Sequence, residues 1–216
     1  MEMLRTVIFD MDGVIVDSEP LHEKAFLEVM HDLGYGHNHG IDFDSYVGRS
    51  DFELWEEFIA KHKPPQPLEE LMAMKRRRVI EVVQQLQPIF AGLPELLEKL
   101  APRCRLGLAS GSERLFIETV LSLKGLRRFF PVIVSAAEVE HGKPAPDIFL
   151  RAAELLGATP KDCWVVEDSK PGVTAALAAG MKVVAITNTH PADELLDATH
   201  VVETYEEIGR LLLSTV

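Results

Sequence analysis

Two acidic residues near the start of the chain, Asp10 and Asp12, directly follow an apolar run from Val7 to Phe9. Such a run is typical of a strand buried on both faces, and residues two apart in an extended chain point the same way. Both carboxylates are therefore expected on one side of the strand end, where Gly13 permits a turn. Like charges this close are costly unless they hold a cation or act as nucleophile and acid/base. Solvated loop acids are the alternative interpretation.

A second pair of acids, Glu167 and Asp168, follows another apolar run, Trp164 to Val166. In open α/β sheets, ligands bind beyond the carboxyl ends of the strands, so we expect both acid pairs at one edge of the sheet. Acids from two strands suit a hard cation such as Mg²⁺, which takes carboxylates, waters and phosphate oxygens as ligands. The sequence therefore predicts a Mg²⁺ site.

Groups that suit an anion follow other predicted elements. Ser110-Gly111-Ser112 comes after an apolar strand and supplies a hydroxyl and a flexible backbone at a helix start, although Ser112 alone could be a helix cap. Lys143 precedes a further predicted helix and would bring positive charge to an anionic phosphoryl group. Together with the two acid pairs, these groups form the inventory that phosphoryl transfer requires.

The elements that must position these groups alternate regularly between strand and helix from Phe90 onward. This alternation favours an α/β fold with a doubly wound parallel sheet. The residues between about 19 and 87 contain helical patterns and no strand candidate, so we interpret them as an inserted all-helical domain. The predicted division is an α/β core of residues 1–18 and 88–216 and a helical domain of residues 19–87.

Within the helical segment, His22 lies at the edge of an apolar stripe and Arg49 lies in a turn before a helix. Either could contact a bound anion, although packing and plain surface roles are the alternatives. The predicted helices are Asp51 to His62 and Leu68 to Leu86. The basic run from Lys75 to Arg78 is interpreted as a solvated helix face and is left out of the site.

Composition limits the classes of function. The 216 residues are 47% hydrophobic, enough for a sizeable core, and 34 acidic against 22 basic residues give a net charge of −12. That charge disfavours nucleic acid and anionic membranes as partners. The first residues show neither a signal peptide nor a membrane span, which fits a cytoplasmic enzyme. Cys104 and Cys163 lack metal-type spacing and are expected to be buried or partly buried thiols rather than a disulfide.

These motifs resemble the four motifs of the haloacid dehalogenase-like superfamily. The helical insert that follows the first motif resembles the branch with β-phosphoglucomutases and small phosphosugar phosphatases. The matching segments are Asp10-Met-Asp12-Gly13-Val14, Leu106-Gly-Leu-Ala-Ser110, Gly142-Lys143-Pro144 and Val165-Val-Glu167-Asp168-Ser169. The resemblance implies a Rossmann-like core with a helical cap.

The resemblance also implies roles. Asp10 would attack phosphorus and become an aspartyl-phosphate, and Asp12 would protonate the leaving alkoxide and then take a proton from water. The groups implied to hold the phosphoryl oxygens are Ser110, the Gly111 amide and Lys143. The implied Mg²⁺ ligands are Asp10, the Asp12 backbone carbonyl, Asp168 and Glu167, the last either directly or through water. The cap would exclude water and supply substrate contacts, with Arg49 and His22 as the candidate contributors.

Asp12 also indicates the type of reaction. Dehalogenase members of the superfamily lack this second acid, because a halide needs no proton on leaving. An alkoxide does need one, so Asp12 favours an oxygen leaving group. We favour a phosphatase acting on a small metabolite such as a sugar or polyol phosphate. A β-phosphoglucomutase-type phosphomutase is the alternative, and Glu113 stands where a mutase would be expected to carry a lysine. A receiver domain would lack the helical insert, and a non-catalytic phospho-ligand-binding member would tend to have lost Asp10 or Asp12. The substrate and the oligomeric state are left open.

Overall fold

The structure, a computed structural model, describes residues 5–42 and 51–213. The chain divides into two compact units, one formed by Met1–Asp17 with Gln87–Val216 and the other by Ser18–Leu86. Across the described ranges, none of the helices combines the length and the apolar character that a membrane crossing needs.

The first unit is built on a six-stranded parallel sheet with the order β3-β2-β1-β4-β5-β6. The strands are β1 (Arg5–Phe9), β2 (Cys104–Ser110), β3 (Val132–Ser135), β4 (Cys163–Glu167), β5 (Lys182–Ile186) and β6 (His200–Val202). Phe9 of β1 is in register with Leu108 of β2 and Val166 of β4, so three strands end side by side. The strand order reverses beside β1, which is where open α/β sheets bind their ligands. The predicted doubly wound α/β class is confirmed.

The sheet is buried because its strands carry continuous apolar runs. Val7, Ile8 and Phe9 of β1 have no exposed surface. The helices of this unit are α4 (Leu93–Leu100), α5 (Arg114–Ser122), α6 (Asp147–Leu155), α7 (Lys170–Ala178) and α8 (Tyr205–Leu213). Helices α6 and α7 contribute Phe149 and Val173 to one cluster with Ile8. Both cysteines are buried and free, as predicted.

The second unit is helical in its described residues. Its helices are α1 (Glu19–Asp32), α2 (Asp51–His62) and α3 (Leu68–Leu86). They enclose an aromatic core in which the ring centroids of Phe26 and Trp55 are 4.8 Å apart and those of Trp55 and Phe58 are 5.5 Å apart. Apolar residues at helical spacing therefore fold against each other as the sequence pattern indicates.

The interpretation of Lys75 to Arg78 as a solvated face is wrong at Lys75. Its side chain is 2% exposed, its Nζ donates a 2.6 Å hydrogen bond to Asp51 Oδ2, and it also contacts His22 Nδ1. Lys75 lies four residues from both Leu71 and Val79, so helical geometry places it on the buried stripe of α3. Its carbon stem joins the core while its charged end is paired.

Helix α2 offers a matched test of this core, because Phe58 is fully buried whereas Phe52 is 45% exposed. We expect Phe58→Ala to lower the free energy of unfolding by about 3–5 kcal/mol, since it leaves a cavity. Phe52→Ala should change it by no more than about 0.5 kcal/mol. Urea unfolding followed by circular dichroism measures both, and equal losses in the two variants would contradict this packing.

Candidate active site

The first carboxylate of the site, Asp10, lies at the carboxyl end of β1 and is 5% exposed. Its backbone N–H donates to Val166 O at 2.9 Å, which extends the β1–β4 pairing to the site. Lys143 Nζ donates to Asp10 Oδ1 and to Glu167 Oε1, each at 2.6 Å. One lysine thus joins the acids that end two adjacent strands. The same Nζ lies 5.0 Å from the centroid of the Phe149 ring.

The pKa values of Asp10 and Lys143 both lie above their ordinary values. Burial raises the pKa of Asp10 well above its usual range, the charge of Lys143 opposes this, and the charges of Glu167, Asp12 and Asp168 raise it further. Burial works to lower the pKa of Lys143, but Asp10 and Glu167 outweigh it and raise that pKa above its ordinary value. Lys143 is therefore the cation that keeps these buried carboxylates tolerable.

Glu167 is fully buried and is held from several directions. Its Oε2 accepts hydrogen bonds from the N–H groups of Asp168 and Ser169, each at 2.8 Å, and from Ser169 Oγ at 2.9 Å. Its Oε1 accepts the bond from Lys143. Gly172, in the first turn of α7, lies directly beside the carboxylate, and a Cβ added to it would be 1.6 Å from Glu167 Oε1. Only glycine leaves room for this arrangement.

Asp12 is in a different environment, beside two serine hydroxyls at the end of β2. Ser112 Oγ donates to Asp12 Oδ2 at 2.7 Å and Ser110 Oγ donates to the same oxygen at 3.2 Å. Ser110 Oγ in turn accepts from the Ser112 N–H at 3.0 Å. The two acids of the first motif thus have different partners, a lysine for Asp10 and two hydroxyls for Asp12. Such a difference suits two different chemical roles.

Asp168 completes the acidic group and contacts the turn that follows β1. Thr189 Oγ1 donates a hydrogen bond to Asp168 Oδ2. Gly13 has a φ of +75°, and a Cβ on it would lie 1.8 Å from that carboxylate oxygen, so the turn requires glycine on two counts. Burial, followed by the charge of Glu167, raises the pKa of Asp168 to about 7, while the hydrogen bond from Thr189 opposes the shift.

The donor set fits a hard cation. Asp10, Glu167 and Asp168 are buried and each offers a carboxylate oxygen, with these oxygens within 4.8 Å of one another. Asp12 Oδ1 is also buried and has no hydrogen-bond partner within the described part of the chain. One lysine is too little positive charge for so many acids, and oxygen ligands of this kind are those that Mg²⁺ prefers.

The structure brings six of the residues singled out in the sequence to one edge of the sheet: Asp10, Asp12, Ser110, Lys143, Glu167 and Asp168. Gly111 is exposed and lies between the two serines that contact Asp12. His22 belongs to the helical unit, where it contacts Lys75. Arg49 lies outside the described residues.

Sequence reasoning missed several polar partners. Ser112 is not the cap of α5, whose N-cap is Glu113; its hydroxyl contacts Asp12 instead. Ser169 and Thr189 support the acids Glu167 and Asp168. Thr189 follows β5, so a search of every strand end for hydroxyl groups would have found it. No sequence signal distinguishes Ser169 from an ordinary helix cap, a role that it also has through the Gly172 N–H.

The chain is similar to known proteins over most of its length. Residues 7–186 match the family model described as haloacid dehalogenase-like hydrolase, and the chain belongs to that family. It is 35% identical over 184 residues to fructose-1-phosphate phosphatase YqaB of Escherichia coli (strain K12), covering 83% of this chain and 95% of that protein.

Two further relatives fall in the same group. Hexitol phosphatase B of Escherichia coli (strain K12) is 33% identical over 183 residues, covering 83% of this chain and 82% of that protein. The crystal structure of a protein described as a putative beta-phosphoglucomutase from Thermotoga maritima superposes with a TM-score of 0.85 at 29% identity, covering 99% of this chain and 100% of that one. The resemblance to the β-phosphoglucomutase and phosphosugar phosphatase branch is confirmed.

The contact between Gly172 and Glu167 gives a direct test of the site. We expect Gly172→Ala to push the Glu167 carboxylate out of place and to lower the free energy of unfolding by roughly 3 kcal/mol, because a buried ion pair loses its geometry. Gly142→Ala is the control, since a Cβ there meets no atom within 4 Å. Thermal unfolding compares the two, and an equally small effect in both would contradict the packing described for Glu167.

Proposed function

We propose that the chain is a Mg²⁺-dependent phosphatase that hydrolyses a small phosphorylated metabolite through an aspartyl-phosphate on Asp10. The observation that carries the proposal is the division of the two acids, with Asp10 bound to Lys143 and Asp12 bound to Ser110 and Ser112. A nucleophile must be ionised and next to positive charge, whereas an acid/base must exchange a proton with the substrate. The two environments match these two needs.

In the first step, an Asp10 carboxylate oxygen attacks phosphorus and the bond from phosphorus to the ester oxygen breaks. The departing alkoxide takes a proton from Asp12 and leaves as an alcohol. Lys143, the Ser110 hydroxyl and the Gly111 amide bind the phosphoryl oxygens as their charge shifts. Lys143 is already hydrogen-bonded to Asp10, so positive charge accompanies the nucleophile through the step.

In the second step, water attacks the phosphorus of the aspartyl-phosphate while the Asp12 carboxylate takes a proton from it. The bond between phosphorus and Asp10 breaks, inorganic phosphate leaves, and the Asp10 carboxylate is restored. The first step leaves Asp12 ionised, which is the form that the second step requires. The second step returns Asp12 to the protonated form that the next first step requires.

Asp10, Asp168 and Glu167, with the Asp12 backbone carbonyl, are the groups that we propose to hold Mg²⁺. The ion would supply positive charge that favours the ionised form of Asp10 and offsets the charge of the phosphoryl group. Positive charge beyond that of Lys143 is needed because burial and neighbouring acids raise the pKa of Asp10 more than Lys143 lowers it. The carboxylates of Glu167 and Asp168 are fixed before binding by Ser169 and Thr189.

We propose a sugar or polyol phosphate as the substrate, by analogy with the fructose-1-phosphate and hexitol phosphatases. The second candidate function is a phosphomutase, which the likeness to a putative beta-phosphoglucomutase favours. Glu113 supports the phosphatase, because this exposed acid beside Ser112 would repel the second phosphate that a mutase must bind. The role of residues 19–87 as a substrate cap, with Arg49 and His22 as contributors, stays a prediction, as do the cytoplasmic location and the lack of nucleic-acid and membrane partners.

A substrate panel tests the proposal. It contains phosphorylated sugars, polyols and nucleotides, with fructose 1-phosphate, hexitol phosphates and β-glucose 1-phosphate with its bisphosphate among them, and each is assayed for both phosphate release and isomerisation. We expect phosphate release that needs Mg²⁺ and falls by at least about 10⁴-fold in Asp10→Asn, which removes the nucleophile. The control is Asp162→Asn, at the amino end of β4, which should keep wild-type activity.

The possible results separate the candidates clearly. Isomerisation of β-glucose 1-phosphate without net phosphate release would replace the phosphatase by the mutase. Full activity in Asp10→Asn, or in excess chelator, would contradict the mechanism itself.

A further inference from the structure

The turn that carries Asp12 is held from outside by a small hydrogen-bonded chain. Asn188, which follows β5, donates from Nδ2 to Gly13 O at 2.8 Å and to Tyr205 Oη at 2.9 Å. Tyr205, the first residue of α8, donates from Oη to Val14 O at 2.6 Å. Two side chains from the far end of the sequence therefore bind two consecutive carbonyls immediately after Asp12.

The direction of each hydrogen bond made by Asn188 and Tyr205 is fixed. The Tyr205 hydroxyl has one hydrogen and gives it to Val14 O, so its oxygen can only accept from Asn188. Gly13 O is also an acceptor, so the amide NH₂ of Asn188, with its two hydrogens, is the end that must face both. Tyr205 is only 7% exposed, and burial raises the pKa of its hydroxyl, which keeps the hydrogen in place.

The turn does not satisfy these two carbonyls by itself. Its internal bonds use Met11 O, which accepts from the N–H groups of Val14, Ile15 and Val16, and Val16 O, which accepts from the Gly13 N–H. Among the backbone bonds of the described residues outside regular helices and strands, none ends on Gly13 O or Val14 O. Both residues are buried, so their carbonyls require the partners that Asn188 and Tyr205 supply.

The same segment also holds the acid on the other side of Gly13. Thr189, next to Asn188, donates to Asp168 Oδ2, the oxygen that lies where a Gly13 Cβ would be. The peptide at Gly13 is therefore enclosed between the Asp168 carboxylate and the Asn188 amide. Movement of Gly13 away from Asn188 would change the backbone direction at Asp12, whose carboxylate must keep its contact with Ser112.

We propose that Asn188 and Tyr205 are positioning residues that hold Asp12 in place for proton transfer. They contact neither Asp10 nor the other carboxylates in any hydrogen bond of the described residues, so their effect passes through the Gly13 and Val14 carbonyls. The inference rests on the proposed function, because it assigns the two residues to the acid/base of that reaction. Proton transfer depends steeply on geometry. The side chains proposed to bind the phosphoryl oxygens, Lys143 and Ser110, make no hydrogen bond to Asn188 or Tyr205 within the described residues.

The test uses two esters that differ in their need for a proton. Phenyl phosphate has a basic leaving group that requires protonation by Asp12, whereas p-nitrophenyl phosphate has a leaving group that departs without it. For Tyr205→Phe and for Asn188→Ala we expect kcat for phenyl phosphate to fall about 10- to 100-fold with KM nearly unchanged, the scale of a small misplacement of a catalytic group. At saturating Mg²⁺, where weaker binding of the ion at the Asp12 carbonyl does not enter the comparison, the first turnover of p-nitrophenyl phosphate in rapid mixing should keep its wild-type rate.

A matched control separates positioning from stability. Thr119→Val deletes another buried hydroxyl, which bonds to Leu115 O at 2.8 Å in α5, away from the site. This variant is expected to keep the wild-type kcat for both esters. The double variant of Asn188 and Tyr205 should lose no more activity than the more impaired single variant, because the two side chains form one chain of hydrogen bonds.

Each outcome has a defined meaning. Three results would overturn the positioning role while leaving the phosphatase intact. The first is an unchanged kcat for phenyl phosphate in both Tyr205→Phe and Asn188→Ala. The others are an equal loss of kcat in Thr119→Val, and independent losses that multiply in the double variant. Wild-type protein that releases no phosphate from these two esters or from any member of the substrate panel would overturn the proposed function, and this inference with it. If Tyr205→Phe fails to fold, Asn188→Ala, at a half-buried position, decides the question by the same criteria.

Discussion

The ion pairs of Lys143 with Asp10 and Glu167 are the interaction on which the site depends. Several acids are buried at the ends of β1 and β4, and without a cation they would repel one another or become protonated. Lys143 lies 2.6 Å from one oxygen of each of two of them and so makes it possible for the strands to end in acids at all. Because its charge does not balance the group, the same constraint explains why a divalent cation fits the site.

Close backbone approach is the second constraint, and it follows from the first. Acids can share so small a volume only if no side chain fills the space beside them. Gly13 leaves room for Asp168, and Gly172 leaves room for Glu167. These two glycines lie on different elements, the turn after β1 and the first turn of α7, and both are needed for one cluster. The site therefore requires glycine at these two positions as much as it requires the acidic side chains themselves.

Much of the fold and the reactive centre could be predicted from the sequence. The apolar runs before Asp10 and Glu167 mark buried strands, and the strand-end rule brings both to one edge of a parallel sheet. The helices Asp51–His62 and Leu68–Leu86 have the predicted bounds, because proline and polar segments separate them clearly. In such segments local pattern and tertiary packing agree, so sequence reasoning is sufficient.

The supporting partners could not be predicted, for identifiable physical reasons. Lys75 carries a charge that suggests exposure, but its helical position places it between Leu71 and Val79, and its burial depends on tertiary contacts with Asp51 and His22. Tyr205 and Asn188 act on backbone carbonyls, which are the same in every residue and leave no trace in the sequence. Partners that recognise the backbone are visible only once the chain is folded.

The central claim is that the phosphoryl group passes through Asp10, and trapping the intermediate tests it most directly. The Asp12→Asn variant lacks the base for the second step, so mixing it with p-nitrophenyl phosphate and Mg²⁺ should release one nitrophenol per enzyme and leave the phosphoryl group on the protein. Acid quenching, proteolysis and mass spectrometry then locate that group. The account predicts one phosphoryl group, on Asp10. A phosphoryl group on any other residue, or a burst of nitrophenol with no phosphorylated peptide, would contradict it.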